Sequence, residues 1–126
     1  MNLRNPLANA HNHGAAGDGV GHWWAQRFSA ILLVFLTTWV VYALVSLIGA
    51  SHAAAADWLA RPFNAAMAVL FVVTSIYHGK LGLQVIIEDY IHNRATEIVL
   101  QLAVKIASII GALLAVFAIL KLALGA

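Results

Sequence analysis

Three long apolar runs, separated by short polar segments, set the pattern of this chain. The first extends from Phe28 to Ala50 without a charge, and a bilayer core about 30 Å thick takes about 20 such residues as helix. The second begins near Phe63 and ends near Ile87, broken only by His78 and Lys80, and Pro62 before it suits the first turn of a helix. The third covers about Ile98 to Leu120, with Lys105 inside it and Lys121 at its end. The intervening segments are Ser51–Pro62, which carries His52, Asp57 and Arg61, and the compact polar connection Glu88–Glu97. This pattern predicts three transmembrane helices over about 28–50, 63–87 and 98–120, in one domain spanning 28–126. A β-barrel would show strands of about ten residues with strict alternation, and nothing here alternates over that length. There is no internal repeat. The expected fold is all-α and integral to the membrane.

Residues 1–27 are a different material. Asn2, Asn5, Asn9, His11, Asn12, His13, Gly14, Gly17, Gly19 and Gly21 dominate, with no periodic apolar pattern, so the segment reads as a polar tail with an interfacial end. A secretory signal peptide would place a short apolar core nearer the start and a small-residue cleavage site after it. The first apolar run is therefore expected to stay in the mature protein.

Composition sharpens the membrane reading. Hydrophobic residues make up 63% of the chain and charged residues 10%, against about 25% charged in an ordinary soluble domain, and the mean hydropathy is +0.88. Cysteine is absent, which excludes a disulfide framework, a thiolate nucleophile and an iron–sulfur cluster ligated by this chain. A net charge of +2 is too small and too scattered for nucleic-acid binding. The basic residues set the orientation. Arg4, Arg27 and Arg94 lie on the side of the N-terminus, and Lys80 and Lys105 can snorkel to the same boundary, against Arg61 and Lys121 on the other side. The N-terminus is expected to be cytoplasmic.

Polar groups inside a membrane are costly and point to function. His78 lies about 15 Å below the Glu88–Glu97 connection, near mid-bilayer. At about 100° per residue, Gly82, Val85 and Asp89 share its stripe. Gly82 would let a flat macrocycle approach the helix backbone, although small residues also serve close helix packing in membranes. A histidine hydrogen-bonded to a neighbouring helix is the competing reading of His78. Lys80 points roughly opposite. At the helix end, Glu88, Asp89 and Tyr90 read either as a solvated boundary with an aromatic anchor or as one side of an interfacial pocket. His22, Trp23, Trp24 and Arg27, before the first span, read either as an interfacial belt or as the other side of that pocket.

Two strings carry a resemblance. His22-Trp23-Trp24-Ala25-Gln26-Arg27-Phe28-Ser29-Ala30-Ile31 leads into the first span, and Tyr77-His78-Gly79-Lys80-Leu81-Gly82-Leu83-Gln84-Val85-Ile86-Ile87-Glu88-Asp89-Tyr90 fills the end of the second. With its histidine, its glycine one turn on and its Asp-Tyr pair, the second string resembles the hydrophobic membrane-anchor subunit of bacterial succinate dehydrogenase. The first-helix serine and arginine signature of the sister anchor is not what these residues read, so the resemblance is to the smaller anchor chain. It covers nearly everything from Trp23 through the third span.

The resemblance implies a subunit of succinate:quinone oxidoreductase, respiratory complex II, that is not catalytic alone. Its expected partners are a flavoprotein that oxidises succinate, an iron–sulfur subunit and a second three-helix cytochrome b anchor, in the bacterial inner membrane. The implied cofactor is haem b held between the two anchors, with His78 as this chain's axial ligand to the iron and ubiquinone as the substrate reduced. Tyr90 matches the tyrosine that hydrogen-bonds a quinone carbonyl, Asp89 the neighbouring quinone-site acid, and Arg27, more loosely, an arginine at the quinone or haem edge. Two rival readings stand beside it. One is a small proton-coupled transporter using His78 and Lys80 as relay groups; the other is a purely structural anchor whose histidine only packs.

Overall fold

The computed structural model describes residues 16–125, and the His- and Gly-rich stretch before Ala16 lies outside the described residues. Four helices follow one another: α1 (Ala16–Ser46), α2 (His52–Leu59), α3 (Pro62–Tyr90) and α4 (Arg94–Ala123). Among the described residues α1, α3 and α4 are long and apolar enough to cross a membrane, as the three apolar runs require.

The helix ends have local causes. Leu47–Gly49 forms a turn after α1, and Gly49 takes φ +78° there, a conformation that glycine adopts without a Cβ penalty. Ser51 caps α2 by accepting from the Ala54 amide at 3.2 Å, which turns the alanine-rich loop into a short helix that the hydropathy pattern does not announce. Pro62 sits in the first turn of α3, where its missing N–H costs nothing. Asn93 caps α4 by accepting from the Ala95 and Thr96 amides at 3.0 and 3.1 Å, with Glu97 in the first turn and Lys121 in the last, both favourable to the helix dipole.

Helix α1 differs from expectation. It begins at Ala16, not at Phe28, and stops at Ser46, short of Ala50. The polar segment carries no apolar stripe of its own. Its link to α3 comes farther along, at Gln26 and Ser29, which meet His78.

Helix α3 is the central element. It packs against α4 on one side and α1 on the other, while α1 and α4 make no helix contact with each other. The three spans thus form a row and not a closed bundle. Short α2 rests on α3 and α4; the buried Asn64 side chain donates to the Trp58 carbonyl at 2.8 Å, and Trp58 stacks on Trp39 of α1 with centroids 5.8 Å apart. Few side chains are fully enclosed: Leu36, Ala43, Leu81 and Ile87 are the buried hydrophobic ones. Large apolar residues such as Phe28, Phe35, Leu113 and Phe117 stand exposed. For a chain in lipid that is the expected arrangement, because hydrocarbon replaces the core as apolar solvent.

Candidate functional site

His78 lies just past the midpoint of α3, at the mid-membrane depth its sequence position implies. The half-buried ring turns toward α1. Its Nδ1 is 2.9 Å from Ser29 Oγ, and its Nε2 is 3.5 Å from the Gln26 side-chain amide nitrogen. Ser29 is 4% exposed, and its hydroxyl donates to the Gln26 backbone carbonyl at 3.1 Å. A hydroxyl carries one proton. With that proton given to the carbonyl, Ser29 Oγ accepts, and Nδ1–H of His78 donates to it. Hydrogen positions follow here from the network, and the network assigns the tautomer whose Nε2 bears a free lone pair. The 3.5 Å amide contact is too long to occupy that lone pair firmly.

Around this contact the α1–α3 interface is polar beyond what the helices can satisfy. Among the described residues, His22 Nε2 and Gln26 Oε1 are both buried without a hydrogen-bond partner. Such groups are uncommon and cost free energy unless another molecule reaches them. Beside them, a cleft of about 570 Å³ runs along α1, lined by Ala30, Leu33, Val34, Thr37, Thr38 and Val41 with His78 at its edge. Gly82 faces the same way: a Cβ there would lie 3.7 Å from the Gln26 amide nitrogen. The clearance it provides is therefore against α1.

The other residues singled out from the sequence stand apart. Tyr90 is the last residue of α3 and 75% exposed, and Asp89 beside it is exposed. Arg27 is exposed, with its guanidinium carbon 5.5 Å from the Trp23 ring centroid, and Trp23 meets Trp24 edge-on. Among the described residues no hydrogen bond or ion pair joins Arg27, Asp89 and Tyr90, although all three lie toward one end of the helix row. Lys80 lines clefts shared with α4, on the side of α3 away from His78. Two residues without an assigned role in the sequence pattern, Gln26 and Ser29, are the ones His78 contacts. The signal that could have found them is the i, i+4, i+7 spacing with His22, which is a polar stripe on one helix face.

The model of the family described as "Succinate dehydrogenase/Fumarate reductase transmembrane subunit" matches residues 1–120. The chain belongs to that family. Relatives named succinate dehydrogenase hydrophobic membrane anchor subunit include one from Rickettsia bellii, 37% identical over 108 residues and 86% of each chain. Another, from Rickettsia conorii, is 34% identical over 115 residues, covering 88% of this chain and 91% of the relative. A third, from Paracoccus denitrificans, is 30% identical over 127 residues, covering 100% of this chain and 97% of the relative. No solved structure matches. As a succinate dehydrogenase/fumarate reductase transmembrane subunit the chain is a membrane anchor, part of an enzyme and not catalytic alone. The resemblance carried by its two strings is thus borne out at the level of the family. Membership also removes the transporter reading, and the geometry agrees, because His78 and Lys80 serve different clefts.

Proposed function

We propose that this anchor subunit supplies His78 as one axial ligand of a b-type haem and contributes Tyr90, Asp89 and Arg27 to a quinone-reducing site at the membrane surface. The observation that carries the haem reading is the Ser29–His78 hydrogen bond. Metal-bound histidines commonly donate their other ring N–H to an oxygen, which fixes the tautomer and orients the ring. Here that arrangement already exists, at mid-membrane, with the Nε2 lone pair left over. The donor set also fits. His78 is a single imidazole with one ring nitrogen held by Ser29 and the other free, which would suit a metal carried in a macrocycle. The buried, unpaired His22 Nε2 and Gln26 Oε1 offer polar anchorage for a group inserted beside α1.

His78 and a histidine of the second anchor would together hold the haem, which would supply one-electron transfer there. The chain's own residues do the rest. Ser29 holds the His78 ring and keeps Nδ1 protonated. Tyr90, about 18 Å farther along α3, presents a phenol at headgroup level that can donate to a quinone carbonyl as negative charge develops on its oxygen. Asp89, exposed to water, can resupply the proton, and Arg27 adds a cation on the same side of the membrane. The open row of helices, with both broad faces of α3 bare of protein, fits a second three-helix anchor as partner. A flavoprotein and an iron–sulfur subunit complete the complex on the cytoplasmic side of the bacterial inner membrane, where the N-terminus lies.

The deciding experiment is a reduced-minus-oxidised spectrum of the assembled complex, wild type against His78→Ala. The variant is expected to lose or alter the b-type signal while the soluble subunits still oxidise succinate with an artificial acceptor. An unchanged spectrum would reject the ligand role and leave His78 as a packing residue.

A further inference from the structure

Two cations face each other across the other side of α3. Lys80 on α3 and Lys105 on α4 line the same two clefts, one above the other in the α3–α4 groove. Neither makes an ion pair among the described residues, where the one salt bridge joins Arg94 to Glu97. The upper cleft, of about 350 Å³, adds the amide side chains of Gln84 and Gln101. The lower one, of about 300 Å³, continues toward mid-membrane over Val73, Ile76, Ile109 and Ala112. The groove is cationic and polar where it opens toward the surface and apolar below.

Depth settles which anion can reach it. Helix α3 has 29 residues, about 43 Å at 1.5 Å per residue, so it overhangs a core of about 30 Å by roughly 7 Å at each end. Lys80 lies about 15 Å from the C-terminal end of α3, and Lys105 about 16 Å from the N-terminal end of α4. Their Cα atoms then sit about 8 Å below the hydrocarbon boundary. Snorkelling side chains bring both ammonium groups close to the level of lipid phosphates. Glu88 and Glu97 lie about 12 Å farther out along the helix axes, next to Gln84 and Gln101 of the upper cleft. They are also engaged already: Glu88 accepts from Gln84 at 3.0 Å, and Glu97 from Gln101 at 3.2 Å and from Arg94.

We propose that this groove is a binding site for an anionic phospholipid, its phosphate held between Lys80 and Lys105 and one acyl chain laid along the apolar cleft beneath. Lys80 Nζ lies 5.9 Å from the Tyr77 ring centroid, a weak cation–π contact that leaves both lysines without an anionic partner. Intramembrane cations call for one, and a basic pocket between transmembrane helices on the cytoplasmic side is a suitable lipid headgroup site. The amphiphilic order of the two clefts selects a lipid over free phosphate.

The test uses the assembled complex in phosphatidylcholine nanodiscs containing a minority of phosphatidylglycerol, stripped with detergent and weighed by native mass spectrometry. Two lysines near the surface predict roughly 10- to 30-fold enrichment of phosphatidylglycerol over its bulk fraction. Lys80→Gln/Lys105→Gln is expected to return it to the bulk ratio. Enrichment that survives the double variant, or none in the wild type, overturns the site. A measurement on the wild type alone covers a variant that does not assemble: mass-mapped reductive methylation of Lys80 and Lys105. It is expected to slow in phosphatidylglycerol discs relative to pure phosphatidylcholine. Equal rates in the two discs overturn the proposal, and so does equal protection by inorganic phosphate without the anionic lipid.

Discussion

Ser29→Ala removes one oxygen and separates a positioned haem ligand from a histidine that merely sits in the membrane. The hydroxyl lies between two partners, Nδ1 of His78 at 2.9 Å and the Gln26 carbonyl at 3.1 Å, in a side chain that is 4% exposed. Truncation leaves Nδ1–H without its acceptor in a half-buried site between two helices. An unmade buried hydrogen bond costs about 1–3 kcal/mol, a factor of roughly 5 to 150 in an equilibrium constant. Loss of the oxygen that orients a metal-bound histidine typically costs about 10- to 100-fold in metal affinity, so two independent arguments reach the same range. Haem affinity of the assembled complex is therefore expected to fall about 10- to 100-fold, read by titrating haem into depleted complex and following the b-type absorption. The midpoint potential of haem that does bind should rise. Hydrogen bonding at Nδ1 makes the imidazole a stronger donor to ferric iron, and the variant loses that preference. Ser29→Thr keeps a hydroxyl at the same place and should restore both properties. Wild-type affinity together with wild-type potential in Ser29→Ala would refute the reasoning.

Tyr90→Phe keeps the ring and removes the phenol; quinone reduction by the complex is expected to fall about 10²-fold, with haem content and artificial-acceptor activity retained. A wild-type quinone rate would make Tyr90 an interfacial belt residue. Asp89→Asn should slow the same step more weakly in the same assay, because water can partly replace a proton relay. Gly82→Ala should leave assembly and haem content unchanged, since the new methyl meets Gln26 at an ordinary contact distance of 3.7 Å. Gly82→Leu should lower the yield of assembled complex by driving α1 from α3. Arg94→Gln breaks an exposed ion pair with Glu97 and should change thermal stability by less than about 1 kcal/mol, as a melting curve of the complex will show.

The three spans were legible in the residues because a bilayer imposes a simple rule: the backbone must close its hydrogen bonds within a helix, and about 20 apolar residues must face hydrocarbon. His78 was legible for the same reason, as a polar group at mid-membrane depth is conspicuous against that background. The start of α1 was not. Its first turns carry glycines and polar residues with no apolar stripe, and its polar cross-helix contacts with α3 begin only at Gln26 and Ser29. Ser29 also escaped notice, although it stands in one of the two strings that carry the family resemblance. A serine two residues after an arginine at a span boundary looks like ordinary interfacial polarity until the helices are docked.

Residue order by itself determined the number of spans, the place of His78 near the middle of the second and the family, because each depends on local composition or on contiguous motifs. Only the tertiary structure decided that α3 lies between α1 and α4, and with that which neighbour each polar side chain meets. His78 and Lys80 are two residues apart in sequence, yet the helical turn of about 200° between them sends one to a serine on α1 and the other to a lysine-lined groove with α4. Periodicity gives the angle between two side chains on a helix. Which helix stands on each side is set by packing across the whole fold.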